Sequence, residues 1–215
     1  MKRISYQLKV RQECIPEYRE AHRKVWPDML EALRRHGHSN YSIFMDPAGY
    51  LYFNLEMPDD PEKAFAAMAA EEVSARWREH MKPLFEDSER TNMVEVFHLD
   101  ASKSRPPTHT RVGFLLKVRR DKIDGYKEHH RKVWPDMLAA LQRNGWHNYS
   151  LYMRADGLLF GYVEVAESFE RSLAGMAKEE VNVRWQALMA PYFENLDGGR
   201  PDQNMRQLAE VFHLD

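Results

Sequence analysis

The segment His22-Arg-Lys-Val-Trp-Pro-Asp-Met-Leu30 recurs letter for letter as His130-Arg-Lys-Val-Trp-Pro-Asp-Met-Leu138. A nine-residue word used twice, with similar sequence on both sides of it, requires a chain made of two copies of one folding unit. A spacing of 108 carries the first copy onto the second as far as Phe85 and Phe193, after which it becomes 115. The seven extra residues lie near Gly198-Gly-Arg-Pro-Asp-Gln-Asn204, a composition that predicts an exposed loop. The predicted organisation is a unit over residues 1–100, a polar linker with a double proline over 101–110, and a second unit over 111–215.

Within each copy the hydrophobic period alternates between that of strands and that of helices. Ile4, Tyr6, Leu8 and Val10 alternate with polar residues, as do Val112, Phe114, Leu116 and Val118, and both runs read as half-buried strands. Helical spacing runs from about Pro16 to His36, ending at Gly37, and from Asp124, a candidate N-cap, to Gly145. The proline after Trp26 and Trp134 should kink or restart each helix.

Two short β runs with a turn between them predict a hairpin at 40–57 and again at 148–165. The stretch Pro61 to Met81, rich in Ala, Glu, Lys, Arg and Met, predicts a further helix, and Glu179 to Arg184 marks its counterpart. Val94–Leu99 and Ala209–Leu214 then read as the strands that close each unit. The order β-α-β-β-α-β is that of a ferredoxin-like α+β unit, a four-stranded antiparallel sheet with both helices on one face. The bare face of such a sheet needs a cover, so the two units are expected to pack as a dimeric α/β barrel within one chain.

Composition narrows the function classes. Net charge is −2 with acids and bases interspersed, which supplies no field for nucleic acid or a membrane surface. The single cysteine, Cys14, allows no internal disulfide, and no apolar run is long enough to cross a bilayer, so a cytoplasmic protein is expected. No HExxH, paired Cys-x2-Cys, GxGxxG or Walker pattern is present; neither a metal nor a cofactor is expected. His36 and His38 give way to Asn144 and Trp146 in the second copy, which argues against a metal pair.

The repeated polar residues carry the candidate chemistry. Tyr18 precedes His22 by four, as Tyr126 precedes His130, so each tyrosine and histidine share one helix face. A histidine can both donate and accept a proton near neutrality, and Trp77 and Trp185 offer flat apolar plates. His98 and His213, also repeated, read as structural or as secondary proton-transfer groups, and Trp26 and Trp134 as core residues.

Four motifs in one order now stand out in each copy: Tyr-x3-His-x3-Trp-Pro-acid, the Asn-Tyr strand, the Arg-Trp helix and the Glu-Val-Phe terminal strand. Together they resemble the L-rhamnose mutarotase family. The resemblance implies dimeric α/β-barrel enzymes that interconvert sugar anomers. It implies His22 and His130 as the catalytic acids, and sugar binding by Tyr18, Tyr41 and Trp77 in one unit and by Tyr126, Tyr149 and Trp185 in the other. Arg78 and Gln186 stand where the family often has a second tryptophan, Asp28 and Asp136 where Glu is usual, and Arg23 and Arg131 where Asn is common.

A monosaccharide partner and two sites are therefore expected, L-rhamnose or a related 6-deoxysugar being the implied substrate, with further self-association left open. The alternatives from the same fold are a cofactor-independent monooxygenase, a haem-handling protein or a non-catalytic sugar-binding module.

Overall fold

The computed structural model describes residues 1–86, 89–101, 106, 108–194, 196 and 199–215. Most of the predicted 101–110 linker lies outside the described residues. The chain forms two compact units, Met1–Met93 with Ala209–Asp215, and Val94–Leu208.

Unit 1 contains β1 (Lys2–Lys9), α1 (Ile15–Arg23), α2 (Pro27–Arg35), β2 (Ser39–Met45), β3 (Tyr50–Met57), α3 (Pro61–Ala69) and α4 (Glu72–Met81). It also holds the start of β4 (Thr91–Leu99) and the final strand, β9 (Ala209–Leu214). The sheet is antiparallel, in the order β4-β1-β3-β2-β9. Tyr6, Ile43, Leu51 and Phe53 from the strands share a core with Tyr18, Ala64 and Met81 from the helices, so the helices cover one face.

Unit 2 repeats the plan with β5 (Thr110–Lys117), α5 (Ile123–Arg131), α6 (Pro135–Arg143), β6 (Trp146–Met153), β7 (Leu158–Val165), α7 (Phe169–Met176) and α8 (Glu180–Met189). The short β8 (Arg206–Gln207) and the rest of β4 complete an antiparallel sheet in the order β8-β5-β7-β6-β4.

The compact units cut the chain differently from the sequence repeats. Thr91–Met93 pairs with β1, but from Val94 onward β4 pairs with β6, setting Leu99 opposite Tyr149. In unit 1 the equivalent place beside β2 is taken by β9, with Leu214 opposite Tyr41. Each repeat thus supplies its closing strand to the sheet of the other repeat. Buried Ile43, Phe44 and Met45 on β2 would otherwise lie along an unpaired edge, which sheets avoid.

The long first helices are each two helices. Trp26 is extended (φ −59°, ψ 137°) because Pro27 bars it from the α region, and Trp134 repeats this before Pro135. The helix expected over Pro61 to Met81 likewise divides, with extended Glu71 between α3 and α4. Asp124 does not cap α5; Lys122 holds that position and Asp124 lies in the first turn, where a negative charge suits the helix dipole. At the hairpin turns Gly49 (φ +84°) and Gly157 (φ +91°) adopt the left-handed conformation, and a Cβ on Gly157 would lie 2.2 Å from the Val118 carbonyl oxygen.

The stretch predicted as an exposed loop near residues 198–204 is in part buried. Residues Pro201–Gln203 form a 3-10 turn in which Pro201 and Asp202 are covered, because the Asp202 carboxylate finds amide partners inside unit 2.

Candidate functional site

The break before Pro27 determines where His22 sits. Helix α1 stops at Arg23, so His22 occupies its last turn, and its Nδ1 lies 3.0 Å from the carbonyl oxygen of Tyr18 one turn earlier. A carbonyl can only accept, so Nδ1 carries the proton and Nε2 is left as a bare acceptor. The second copy repeats this, with His130 Nδ1 2.9 Å from the Tyr126 carbonyl. Burial disfavours the imidazolium and holds both histidines down to about 4, so both rings are neutral at pH 7.

Aromatic rings fix each imidazole in place. His22 stacks on Tyr18 at 4.1 Å between ring centres, with Trp77 and Phe212 edge-on at 5.7 and 5.8 Å. His130 stacks on Tyr126 at 4.0 Å, with Trp185 at 5.5 Å and Phe97 at 6.0 Å. Trp26 and Trp134 stand edge-on to Trp77 and Trp185 at 5.1 and 5.3 Å, and so buttress the tryptophans from behind.

Around His22 the structure brings together Tyr18, Tyr41 and Trp77 on the wall of one open cleft of about 660 Å³. Tyr6 and Phe53 also line it, as do the charged residues Arg78, Glu79 and Lys82. The volume falls in the range of roughly 300–1,000 Å³ usual for small-molecule sites. Burial pushes the Tyr18 and Tyr41 hydroxyls well above their ordinary range, so they remain protonated donors. The Tyr6 and Tyr41 hydroxyls lie near enough to influence each other's ionisation, and the Arg90 guanidinium lies 4.1 Å over the Tyr6 ring.

Around His130 the structure assembles Tyr149 and Trp185 on one cavity, but its free volume is only about 60 Å³. Phe97, Asp202 and Met205 also line it, and Tyr126, buried beneath His130, is not on the cavity wall. Tyr6 has Phe114 as its counterpart, so Tyr149 lacks the hydroxyl neighbour that Tyr41 has.

Four contributors do not stand out from sequence. Tyr6 was hidden because its repeat is a phenylalanine and it sits in an ordinary strand pattern. Phe97 and Phe212 lay within the repeated Val-Phe-His-Leu words, which were the available signal. Asp202 belongs to a segment with no counterpart.

His98 and His213 do not line either cavity. Strand alternation turns them away from Phe97 and Phe212, and they bridge Ser150 to Asp100 (2.9 and 3.0 Å) and Ser42 to Asp215 (2.8 and 2.9 Å). Among the described residues no group of three or more metal-binding side chains converges, and no helix is long and apolar enough to cross a membrane.

Comparison with known proteins places this geometry in a lineage. The L-rhamnose mutarotase family model matches residues 3–99 and again 111–214. The L-rhamnose mutarotase of Oceanobacillus iheyensis is 36% identical over 106 residues, covering 49% of this chain and 98% of that protein. The Bacillus subtilis L-rhamnose mutarotase is 40% identical over 106 residues, covering 46% of this chain and 100% of its own length. Among solved structures, a protein from Lactobacillus acidophilus assigned as a monooxygenase covers 100% of both chains with a TM-score of 0.63 at 10% identity, a likeness of fold alone. With nearly all of both halves matched by one family model, the chain belongs to the L-rhamnose mutarotase family as a tandem duplication, and is an isomerase that interconverts the anomers of a sugar.

Proposed function

We propose that the substrate is L-rhamnose or a related 6-deoxysugar, and that His22 moves the proton that opens and closes its ring. The observation that carries this reading is a neutral imidazole whose Nδ1 is held by the Tyr18 carbonyl, so that Nε2 is its acceptor, on a ring that lines one cleft with Tyr18, Tyr41 and Trp77.

Opening a cyclic hemiacetal requires the anomeric hydroxyl to lose a proton and the ring oxygen to gain one. Nε2 accepts the proton from O1. The O1 electrons form the C1–O1 double bond, the C1–O5 bond breaks, and O5 leaves with its electron pair. O1 and O5 are both attached to C1, so one imidazolium can return the proton to O5 after a small shift. Rotation about C1–C2 and reversal of the same steps gives the other anomer.

An imidazolium held down to about 4 gives its proton up readily, and the undissociated tyrosines are suited to donate hydrogen bonds to the oxygen that carries the developing charge. Trp77 offers an apolar plate for the C–H face of a pyranose and its methyl group. A positioned acid and base contributes roughly 10²–10⁴ in rate, enough for a reaction that already proceeds slowly in water.

Exchange between the anomeric proton signals of L-rhamnose, followed by NMR with intact protein and with the double variant His22→Ala/His130→Ala, tests this. Intact protein is expected to accelerate exchange and the double variant to return it to background. Full activity in the double variant would remove the histidines from the mechanism. Parallel runs with L-fucose and D-ribose rank the sugars, and preference for D-ribose would overturn the 6-deoxysugar assignment.

A further inference from the structure

The two copies share their histidine and tyrosine but not the space in front of them. Phe85 and Phe193 are 108 residues apart and Glu95 and Glu210 are 115 apart, so unit 2 carries seven residues that unit 1 lacks. Asp202, in this segment, is buried with 8% of its surface exposed.

The carboxylate of Asp202 accepts a hydrogen bond from the Asn182 amide at 3.0 Å, and both its oxygens accept from Arg200, at 3.1 and 3.2 Å. The backbone N–H of Asp202 donates to Gln186 Oε1 at 3.3 Å, while Gln186 Nε2 donates to Asn182 Oδ1 at 3.0 Å. This polar network is enclosed, and a carboxylate enters such a place only where its oxygens are met by donors. Asp202 and Met205 thereby stand in the cavity with His130 and Trp185, and the 60 Å³ that remains accommodates a few waters at roughly 10–15 Å³ each, not a pyranose.

Among the described residues of unit 1 nothing comparable is built. The counterparts of Asn182 and Gln186 are Ser74 and Arg78, and Arg78, on the wall of the open cleft, donates to the Ala69 carbonyl at 3.3 Å. The wall of the closed cavity nevertheless keeps the character of a sugar site: the buried Trp146 indole N–H has no acceptor among the described residues, a donor available to a hydroxyl.

Resting on the mutarotase reading above, we infer that the two sites of this chain are unequal: the His22 site turns sugar over, while the His130 site is closed by its own Asp202 segment, whose carboxylate takes the place of a sugar hydroxyl against Asn182 and whose backbone N–H does so against Gln186. Release of that segment opens a second pocket for a polyhydroxylated ligand.

Two measurements on the full chain decide it. Titration with methyl α-L-rhamnopyranoside, whose ring cannot open, is expected to give one site per chain. Two sites per chain are expected in Asp202→Ala, and also in a variant in which residues 198–204 are removed to restore the 108 spacing. Anomeric exchange in the single variant His22→Ala is expected to fall more than tenfold.

Two equivalent sites in the unaltered chain, or a site count of one in both altered chains while they unfold cooperatively, would overturn the inference. So would survival of about half the exchange rate in His22→Ala. Absence of any acceleration by the unaltered protein would instead reject the mutarotase reading, a result separate from these.

Discussion

With His22 in the proposed role, a specific pH dependence of the reaction follows from its setting. In water an imidazole titrates near 6.5; burial beside Tyr18 and Trp77 lowers that to about 4 in the folded protein. The neutral ring is the form with a free Nε2, so activity is present above the folded value and lost as pH falls through about 4. At pH 5 a group titrating at 4 is about 90% neutral, whereas one titrating at 6.5 is only about 3% neutral, a roughly thirtyfold difference in competent enzyme.

The assay is anomeric exchange of L-rhamnose between pH 4 and 8, with the spontaneous rate at each pH subtracted and circular dichroism showing that the chain is folded at each point. That control is needed because the unfolded chain takes up protons between 6.5 and 4 while the folded histidines do not, so stability also declines as pH falls through that window. A plateau from pH 8 to 5 is expected. A midpoint near 6.5 in a still-folded protein would refute both the buried setting and the assignment of Nε2 as proton acceptor.

Three further outcomes follow from the geometry. Trp77→Ala removes the apolar plate of the open cleft; loss of ~1–2 kcal/mol of contact should raise KM for L-rhamnose roughly 5–30-fold with kcat less affected, as measured by initial exchange rates. Tyr6→Phe removes a hydroxyl from a residue of the open cleft and gives unit 1 the residue found as Phe114, so kcat/KM should fall roughly 2–10-fold, the value of one hydrogen bond to substrate, without a loss of thermal stability. Gly157→Ala forces a Cβ against the Val118 carbonyl at φ +91°, and a cost of ~1–3 kcal/mol should lower Tm by several degrees in calorimetry.

The family model and the two halves of this chain agree on what was repeated, and the structure shows what was not. The contrast matters for how activity is counted: among the described residues of a fused pair with two complete sets in sequence, His22 lines a cleft of about 660 Å³ and His130 a cavity of about 60 Å³. The solved structures of similar fold share its architecture at about 10% identity, so the proposed chemistry rests on His22, the tyrosines and Trp77 rather than on the fold.

The amino-acid sequence by itself determined the doubling, the β-α-β-β-α-β order and the breaks at Trp26 and Trp134, because hydrophobic period and proline geometry act on a few neighbouring residues. It also determined that His22 lies one turn from Tyr18, and His130 one turn from Tyr126, since helical spacing is local. Only the tertiary structure decided which sheet each closing strand joins, because strand pairing is made between residues far apart in the chain. It alone decided that Nδ1 rather than Nε2 carries the proton, which depends on where the ring turns. And it alone decided that Asp202 lines the second cavity: a Gly-Pro-Asp-Asn segment has the composition of any surface loop until the buried Asn182 amide donates to its carboxylate and Gln186 accepts from its backbone N–H, hydrogen bonds that water would otherwise supply.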